Sequence, residues 1–160
     1  MSRVSRMVWE FLGWTTVPIP ARSLAELRVQ AWTWLRVHRA GARISARSSV
    51  QDDGLAEEVH LAWSGDRAET LVFLAEPTLP PGPLLGLDPS CPIPVASVEE
   101  EYTWIWQVLG GRVCSQSLRR EPGSWRDVLT VVLPDGEANV WFDISALDGT
   151  LEGPRAVDEP

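Results

Sequence analysis

The chain has 160 residues, of which 44% are apolar and 22% are charged, and its formal net charge is −8. This length fits one ordinary domain or two small fused units, and the composition excludes a fibrous or wholly disordered chain. All fourteen basic residues are arginines. Residues 1–50 carry a net charge of +6, whereas residues 51–96 and 97–160 each carry −7. The acidic total works against nonspecific nucleic-acid binding.

The first residues imitate a secretory signal, because Arg3 and Arg6 precede an apolar stretch. Glu10 interrupts that stretch, however, and no small-residue cleavage site follows it. No apolar run approaches the ~20 residues that cross a bilayer. The two cysteines, Cys91 and Cys114, form no recognisable disulfide framework. We therefore expect a cytoplasmic protein with free thiols and no membrane partner.

The first predicted helix begins at a capping box. Ser23 suits the N-cap position, and Glu26 stands three residues later. Apolar residues then recur at spacings of three and four, namely Leu24, Leu27, Ala31, Trp34 and Leu35. Three segments of alternating apolar and polar residues follow and predict three strands, whereas the sequence leaves open whether residues 1–17 form a helix or a strand.

A second helix and a second set of strands repeat this pattern after a proline-rich stretch at residues 77–96, which predicts an extended connector. Ser97 and Glu100 form another capping box, and Trp106 occupies the position of Trp32. The apolar stripe of this second helix is predicted at Val98, Tyr102, Ile105 and Leu109.

The two halves predict an α+β fold made by tandem duplication of an αβββ unit, a helix plus a three-stranded antiparallel sheet, with the copies related by a pseudo-twofold axis. The N-terminal unit is predicted at residues 1–76, the C-terminal unit at residues 97–146 and a disordered acidic tail at residues 147–160. One such unit buries little surface, so we expect the copies to form one compact domain. Whether they share a sheet or pack face to face stays open.

No catalytic, metal-binding or cofactor-binding motif occurs in the sequence. His38 and His60 both lie in the first half, their equivalents in the second half are not histidines, and both are predicted to be structural. Metal binding needs several convergent ligands, and the cysteines stand alone. We therefore expect a non-enzymatic protein without a metal or cofactor.

Tryptophans and acidic residues supply the candidate site, because exposed tryptophan is typical of protein-binding hot spots. The candidates are Trp104, Trp141, Trp125, Glu99, Glu100 and Glu101. They predict a protein that binds a basic partner, such as a toxin or a secreted client. In this pattern the chain resembles immunity proteins and antitoxins of bacterial toxin systems, and also secretion chaperones. A homodimer stays open.

Two alternative functions remain open. Duplicated helix-and-sheet units resemble GyrI-like ligand-binding domains, which implies a groove between the repeats that takes up a hydrophobic cation. Trp32, Trp106 and Glu101 would line that groove. The arginine-rich N-terminal unit is also a candidate for nucleic-acid binding, although intramolecular pairing with acidic residues explains these arginines more simply.

Overall fold

The computed structural model describes residues 14–51, 54–80 and 82–147. Two compact units are present: the first contains the described residues up to Leu84 together with Gln107–Leu109, and the second contains Leu85–Trp106 and the described residues from Gly110 onward. Each unit has one helix-bearing segment and one four-stranded mixed sheet, so the fold is α+β and compatible with a duplicated unit. The predicted basic start of the chain, residues 1–13, and the predicted tail beyond Leu147 lie outside the described residues.

The first unit runs strand, helix, strand, strand, strand. Its elements are β1 (Thr15–Ile19), α1 (Leu24–His38), β2 (Arg43–Gln51), β3 (Leu55–Ala62) and β4 (Ala68–Ala75). The sheet order is β1-β4-β3-β2, with β1 parallel to β4 and the other pairs antiparallel. The Trp34 ring packs edge-on against Phe73, with centroids 5.7 Å apart, which identifies the face of the sheet that α1 covers.

The second unit repeats this order. Its elements are β5 (Ile93–Pro94), α2 (Val98–Trp104), the start of a π-helical turn (Ile105–Leu109) whose last three residues belong to the first unit, β6 (Arg112–Glu121), β7 (Ser124–Leu133), β8 (Gly136–Asp143) and a final 3-10 turn (Ser145–Leu147). The sheet order is β5-β8-β7-β6, and β5 is parallel to β8. Trp104 packs edge-on against Phe142, with centroids 5.9 Å apart.

Both predicted capping boxes form. The hydroxyl of Ser23 accepts a hydrogen bond from the backbone N–H of Glu26, and that of Ser97 accepts one from Glu100, each at 3.2 Å. The Glu26 carboxylate accepts from the backbone N–H of Arg22, as the Glu100 carboxylate does from Ala96. These bonds satisfy amides that a helix N-terminus otherwise leaves unpaired, so both helices begin where the sequence predicts.

The prediction of three-stranded antiparallel sheets is wrong by one strand in each unit. The strand before each helix joins the sheet parallel to the last strand, and β5 lies within the residues predicted to be a connector. Pro18 lies in β1 and Pro94 in β5. Proline lacks an N–H donor but is tolerated in an edge strand, and both of these strands lie at the edge of their sheets.

The matching of β3 with β7 is also corrected by one residue. Continuing the alignment of the two halves in register predicts that Val59 corresponds to Val128, but Val59 faces Leu71 across its ladder, as Leu129 faces Val140 across the other. The chain thus needs one residue fewer to pass from Leu129 to Val140 than from Val59 to Leu71. Because side chains alternate along a strand, this slip moves Val128 to the other face of its sheet.

The buried side of α2 differs from the predicted stripe. Glu101, Ile105 and Leu109 are buried, whereas Val98 and Tyr102 are exposed. A carboxylate therefore occupies a core position at which the pattern requires an apolar residue. The predicted stripe is therefore correct at Ile105 and Leu109 and wrong at Val98 and Tyr102, and the prediction of Glu101 as a solvent-facing contact is wrong.

Candidate functional site

Three large apolar side chains of α2 and its π-helical extension stand in solvent. Val98, Tyr102 and Trp106 are 51%, 43% and 75% exposed, and Trp106 has the largest exposed fraction of any large hydrophobic residue that the structure describes. Their spacing of four residues places them along one side of the helix. We call these three residues the α2 ridge. Trp106, which the sequence places on or beside the core, is thus a surface residue.

The charge beside the α2 ridge is negative. Glu99 and Glu100 are exposed in the first helical turn, and no basic residue occurs between Val98 and Leu109. Carboxylates at this end of a helix interact favourably with its dipole, so they also stabilise the helix locally. The ridge therefore combines apolar area with acidic side chains.

The corresponding side of α1 is covered. Counted from the two N-caps, the ridge positions match Leu24, Arg28 and Trp32. Leu24 and Arg28 are buried, and Trp32 is half-buried. The exposure of the α2 ridge is therefore particular to the second helix.

Beneath α2 lies a pair of buried carboxyl groups, Glu101 and Asp127, whose residues are 0% and 3% exposed. Gln116 donates a side-chain hydrogen bond to Oδ2 of Asp127. Neither oxygen of Glu101, nor Oδ1 of Asp127, receives a hydrogen bond from any residue that the structure describes. Two carboxylates can bond to each other only by sharing a proton, so this arrangement favours a protonated member.

The pKa values of this carboxyl pair follow from its surroundings. Burial raises the pKa of Glu101 to about 7, and the charge of Asp127 together with a hydrogen bond to it adds to the shift. Burial also raises the pKa of Asp127, whereas hydrogen bonds from Gln116 and from the Val128 backbone oppose that rise. Burial therefore disfavours the charged form of both groups, and the pKa of about 7 places the loss of the Glu101 proton near neutrality.

The first unit has a buried carboxylate at the matching sheet position, but there it is paired with cations. Glu57 faces Phe73 across the ladder, as Asp127 faces Phe142. Arg28 Nε lies 2.7 Å from Glu57 Oε2, and Arg47 Nη1 lies 3.9 Å from Glu57 Oε1. The negative charge of Glu57 is thus compensated by guanidinium groups.

Those two guanidinium groups also bind the carbonyl groups at the end of the π-helical turn. Arg28 donates to the carbonyl oxygen of Leu109, and Arg47 donates to those of Val108 and Gln107 at 2.8 Å each. A helix end leaves these carbonyl groups without backbone partners. Arg28 and Arg47 are therefore engaged in intramolecular contacts.

The three tryptophans predicted as partner contacts lie in different places. Trp104 is half-buried against Phe142 on the helix side of the sheet. Trp141 lies on the opposite face, where the Arg119 guanidinium is 4.9 Å from its ring centroid. Trp125 lies near the start of β7, with the Arg120 guanidinium 5.1 Å from its ring centroid. The structure thus does not gather them with Glu99 and Glu100 on one surface.

The residues predicted for the alternative ligand groove are likewise dissimilar in exposure. Trp32 is half-buried in the first unit, Trp106 is largely exposed, and Glu101 is fully enclosed. The Glu101 oxygens have almost no accessible surface, so they offer no contact to a ligand arriving from solvent.

His60 belongs to a polar row on the face of the first sheet that α1 does not cover. Its Nε2 lies 2.7 Å from Glu58 Oε1, and its Nδ1 lies 3.0 Å from Thr70 Oγ1. β3 and β4 each pair on both sides, so their backbone N–H groups are engaged in ladders and none forms an oxyanion-binding pair. The row is best explained as a structural network.

Comparisons with known proteins identify no family for this chain. No protein-family model matches it, and no curated protein sequence matches it. Among solved structures it is similar to the trypanothione-dependent glyoxalase I of Leishmania major, at 14% identity over 86% of this chain and 87% of the other, with a TM-score of 0.25. A TM-score that low carries no argument about activity.

Membrane-spanning helices and clusters of metal ligands are both absent from the described residues. No helix among them is both long enough and apolar enough to span a bilayer. In the same part of the chain, no group of three or more histidine, cysteine, aspartate or glutamate side chains is arranged to hold a metal ion.

Proposed function

We propose that this protein is a non-enzymatic binding protein that engages a basic protein partner through the α2 ridge. The supporting observation is that Val98, Tyr102 and Trp106 stand in solvent along one side of a helix. Exposed apolar side chains in a row are the feature by which a helix fits a groove in another protein. Tyrosine and tryptophan are enriched among residues that dominate binding energy, so Trp106 is the expected anchor.

The chemistry of the partner follows from the charge around the ridge. Glu99 and Glu100 are exposed beside it, and the helix carries no basic residue between Val98 and Leu109. A basic surface would complement this turn and would associate faster because of long-range attraction. A second copy of the chain, with a net charge of −8, would instead bring acidic surface to acidic surface.

The proposed role is that of an immunity protein, an antitoxin or a chaperone for a basic client. Such proteins act by occupying a surface of their client and need no catalytic group of their own. The acidic turn and the exposed aromatic residues support this role, and they replace the more scattered set of tryptophans that the sequence suggested.

The experiment uses a photo-crosslinking amino acid placed at position 106 in cells of the native host. The matched control places it at Val37, which is 72% exposed on α1. We expect position 106, and not position 37, to crosslink to one basic protein. With that protein purified, we expect Trp106→Ala to weaken binding by about 30-fold or more, as for an interface anchor, while Val37→Ala changes little.

The charge assignment is tested with the same purified pair. Affinity should fall as salt is raised, and Glu99→Gln should reduce the association rate. Identical crosslinks from positions 106 and 37, or an acidic protein captured at position 106, would contradict the proposal.

A further inference from the structure

We propose that the Glu101–Asp127 pair is a proton switch that controls how α2 sits on its sheet, and thereby controls presentation of the α2 ridge. The inference rests on the proposed function for its biological use, because the ridge is the proposed binding surface. Its structural part concerns only α2 and the sheet beneath it, so it can be tested without a partner.

The position of the pair makes α2 the element that responds. Glu101 lies in the middle of the seven-residue α2, directly before the ridge residue Tyr102. Asp127 lies in β7, which is paired on both sides within its sheet and is therefore the fixed member. Any repulsion between the two carboxyl groups therefore shifts the position of α2 relative to the sheet.

In the described part of the chain, no cation forms an ion pair with either carboxyl group. Within α2, Glu99 and Glu100 are exposed, and in β7 the charged group at this point is Asp127 itself. On β6 the neighbours are Gln116, which is uncharged, and Leu118, and on β8 the neighbour is Phe142. Among the described residues, no arginine or histidine forms an ion pair with Glu101 or Asp127.

The two protonation states therefore demand different geometries. With one proton, Glu101 donates a hydrogen bond to Asp127 and the apolar core closes over both groups. Without it, two carboxylates would be buried side by side with no donor for three of their four oxygens, which is strongly unfavourable. The relief available is movement of α2 toward solvent, so that water reaches Glu101.

The surroundings of α2 offer little resistance to this movement. The helix has only two α-helical turns before the π-helical turn at Ile105–Leu109, and Gly110 ends it in a left-handed conformation with φ 65°. Short helices depend on packing rather than on their own hydrogen bonds for stability. The pKa of Glu101, raised to about 7, places the change in the neutral range.

The test is amide hydrogen exchange of residues 101–109 in the full chain at pH 6 and pH 8, expressed as protection relative to the unfolded peptide. In the wild type we expect protection to fall about tenfold between these pH values, which is the linkage expected for a carboxyl group whose pKa changes from about 4.5 to about 7 on burial. Glu101→Gln should abolish the fall, and Glu99→Gln, an exposed neighbour, should leave it unchanged.

Asp127→Asn serves as the second variant, because it removes the like charge from the fixed side of the pair. Equal loss of protection in the wild type and in Glu101→Gln would overturn the switch, as would unchanged protection in the wild type. Crosslinking from position 106 at both pH values separates this inference from the proposed function. A pH-dependent helix that captures no partner would contradict only the function, and pH-independent exchange with a captured partner would contradict only the switch.

Discussion

Each unit places a carboxylate at the same point of its sheet, but the two surround it with opposite chemistry. Glu57 in the first unit meets Arg28 and Arg47, whereas Asp127 in the second meets Glu101 and Gln116. Gln116 faces Leu129 as Arg47 faces Val59, so the two residues are true structural counterparts. A permanent cation in one unit is thus replaced by a neutral amide in the other.

The difference shows how two units of the same topology can stabilise a buried carboxylate by different means. A guanidinium group stays charged at any physiological pH, so the compensation of Glu57 is permanent. A shared proton is lost near neutrality, so the compensation of Asp127 is conditional. Both units keep a buried carboxylate at this sheet position, but only the second unit sets another buried carboxyl group beside it.

The strand before each helix pairs in a different register in the two sheets. This difference in register accounts for part of the difference between the two carboxylate sites. Ile19 faces Ala75, whereas its counterpart Ile93 faces Phe142, the residue equivalent to Phe73. Relative to β1 on β4, the strand β5 is therefore shifted by two residues toward the N-terminal end of its neighbour β8. Since the N-cap follows each isoleucine by the same interval, α2 is displaced along its sheet relative to α1, and a different helical position meets the buried carboxylate.

The largest effect is expected from breaking the compensated pair. Arg28→Ala should destabilise the fold by about 3–5 kcal/mol, because it leaves the Glu57 carboxylate buried without its closest cation. Urea unfolding at pH 7 measures this loss. Arg36→Ala, which removes an exposed arginine from the same helix, is the control and should change stability by less than about 0.5 kcal/mol. Equal losses in the two variants would show that burial of Glu57 needs no such compensation.

A smaller effect, opposite in sign, is expected from neutralising the uncompensated pair. The folded-state pKa of Glu101 is raised, so the stability contributed by its proton is complete below the unfolded pKa of about 4.5 and is lost as the pH rises toward about 7. This group should lower the free energy of unfolding by about 3 kcal/mol between pH 4 and pH 8.

Glu101→Gln removes that contribution, so its stability advantage over the wild type should grow with pH. Thermal or urea unfolding of both proteins across this range gives the difference, in which the other carboxyl groups cancel. A constant difference between the two curves would show that Glu101 titrates normally.

The smallest effect is expected from making the second unit resemble the first. Gln116→Arg should place a guanidinium group beside Asp127, as Arg47 stands beside Glu57, and should lower the pKa values of the carboxyl pair by about one unit. Carboxyl-carbon chemical shifts followed through a pH titration report both groups. Ser115→Arg, a neighbour on the opposite side of the same strand, is the control. An unchanged midpoint would mean that solvent screens position 116 from the pair.

The features predicted correctly from the sequence depend on short, local chemistry. Ser23 with Glu26, and Ser97 with Glu100, fix the two helix starts, because a capping box needs only four residues to form. The repeated helix and strand pattern likewise indicated the α+β class. In these places local preference and tertiary structure agree.

The features that escaped prediction depend on exceptions to local preference. Pro18 and Pro94 argue against strands, yet both lie in edge strands, where a missing donor is tolerated. Glu101 argues against burial, so the stripe of α2 was placed on Val98 and Tyr102. Asp127 can be predicted to face α2 only when the shorter connection between β7 and β8 is taken into account. The one missing residue decides which side chains of β7 face the helix.

The prolines of β1 and β5 also affect how molecules of this protein meet at high concentration. A sheet edge with free donors and acceptors invites a strand from a neighbouring molecule, and such pairing is the first step toward fibrillar aggregates. Here one edge of each sheet contains a proline, and the other edges, β2 and β6, bear charged arginine side chains. The chain can thus expose the apolar side chains of the α2 ridge while the edges of both sheets disfavour pairing with another molecule.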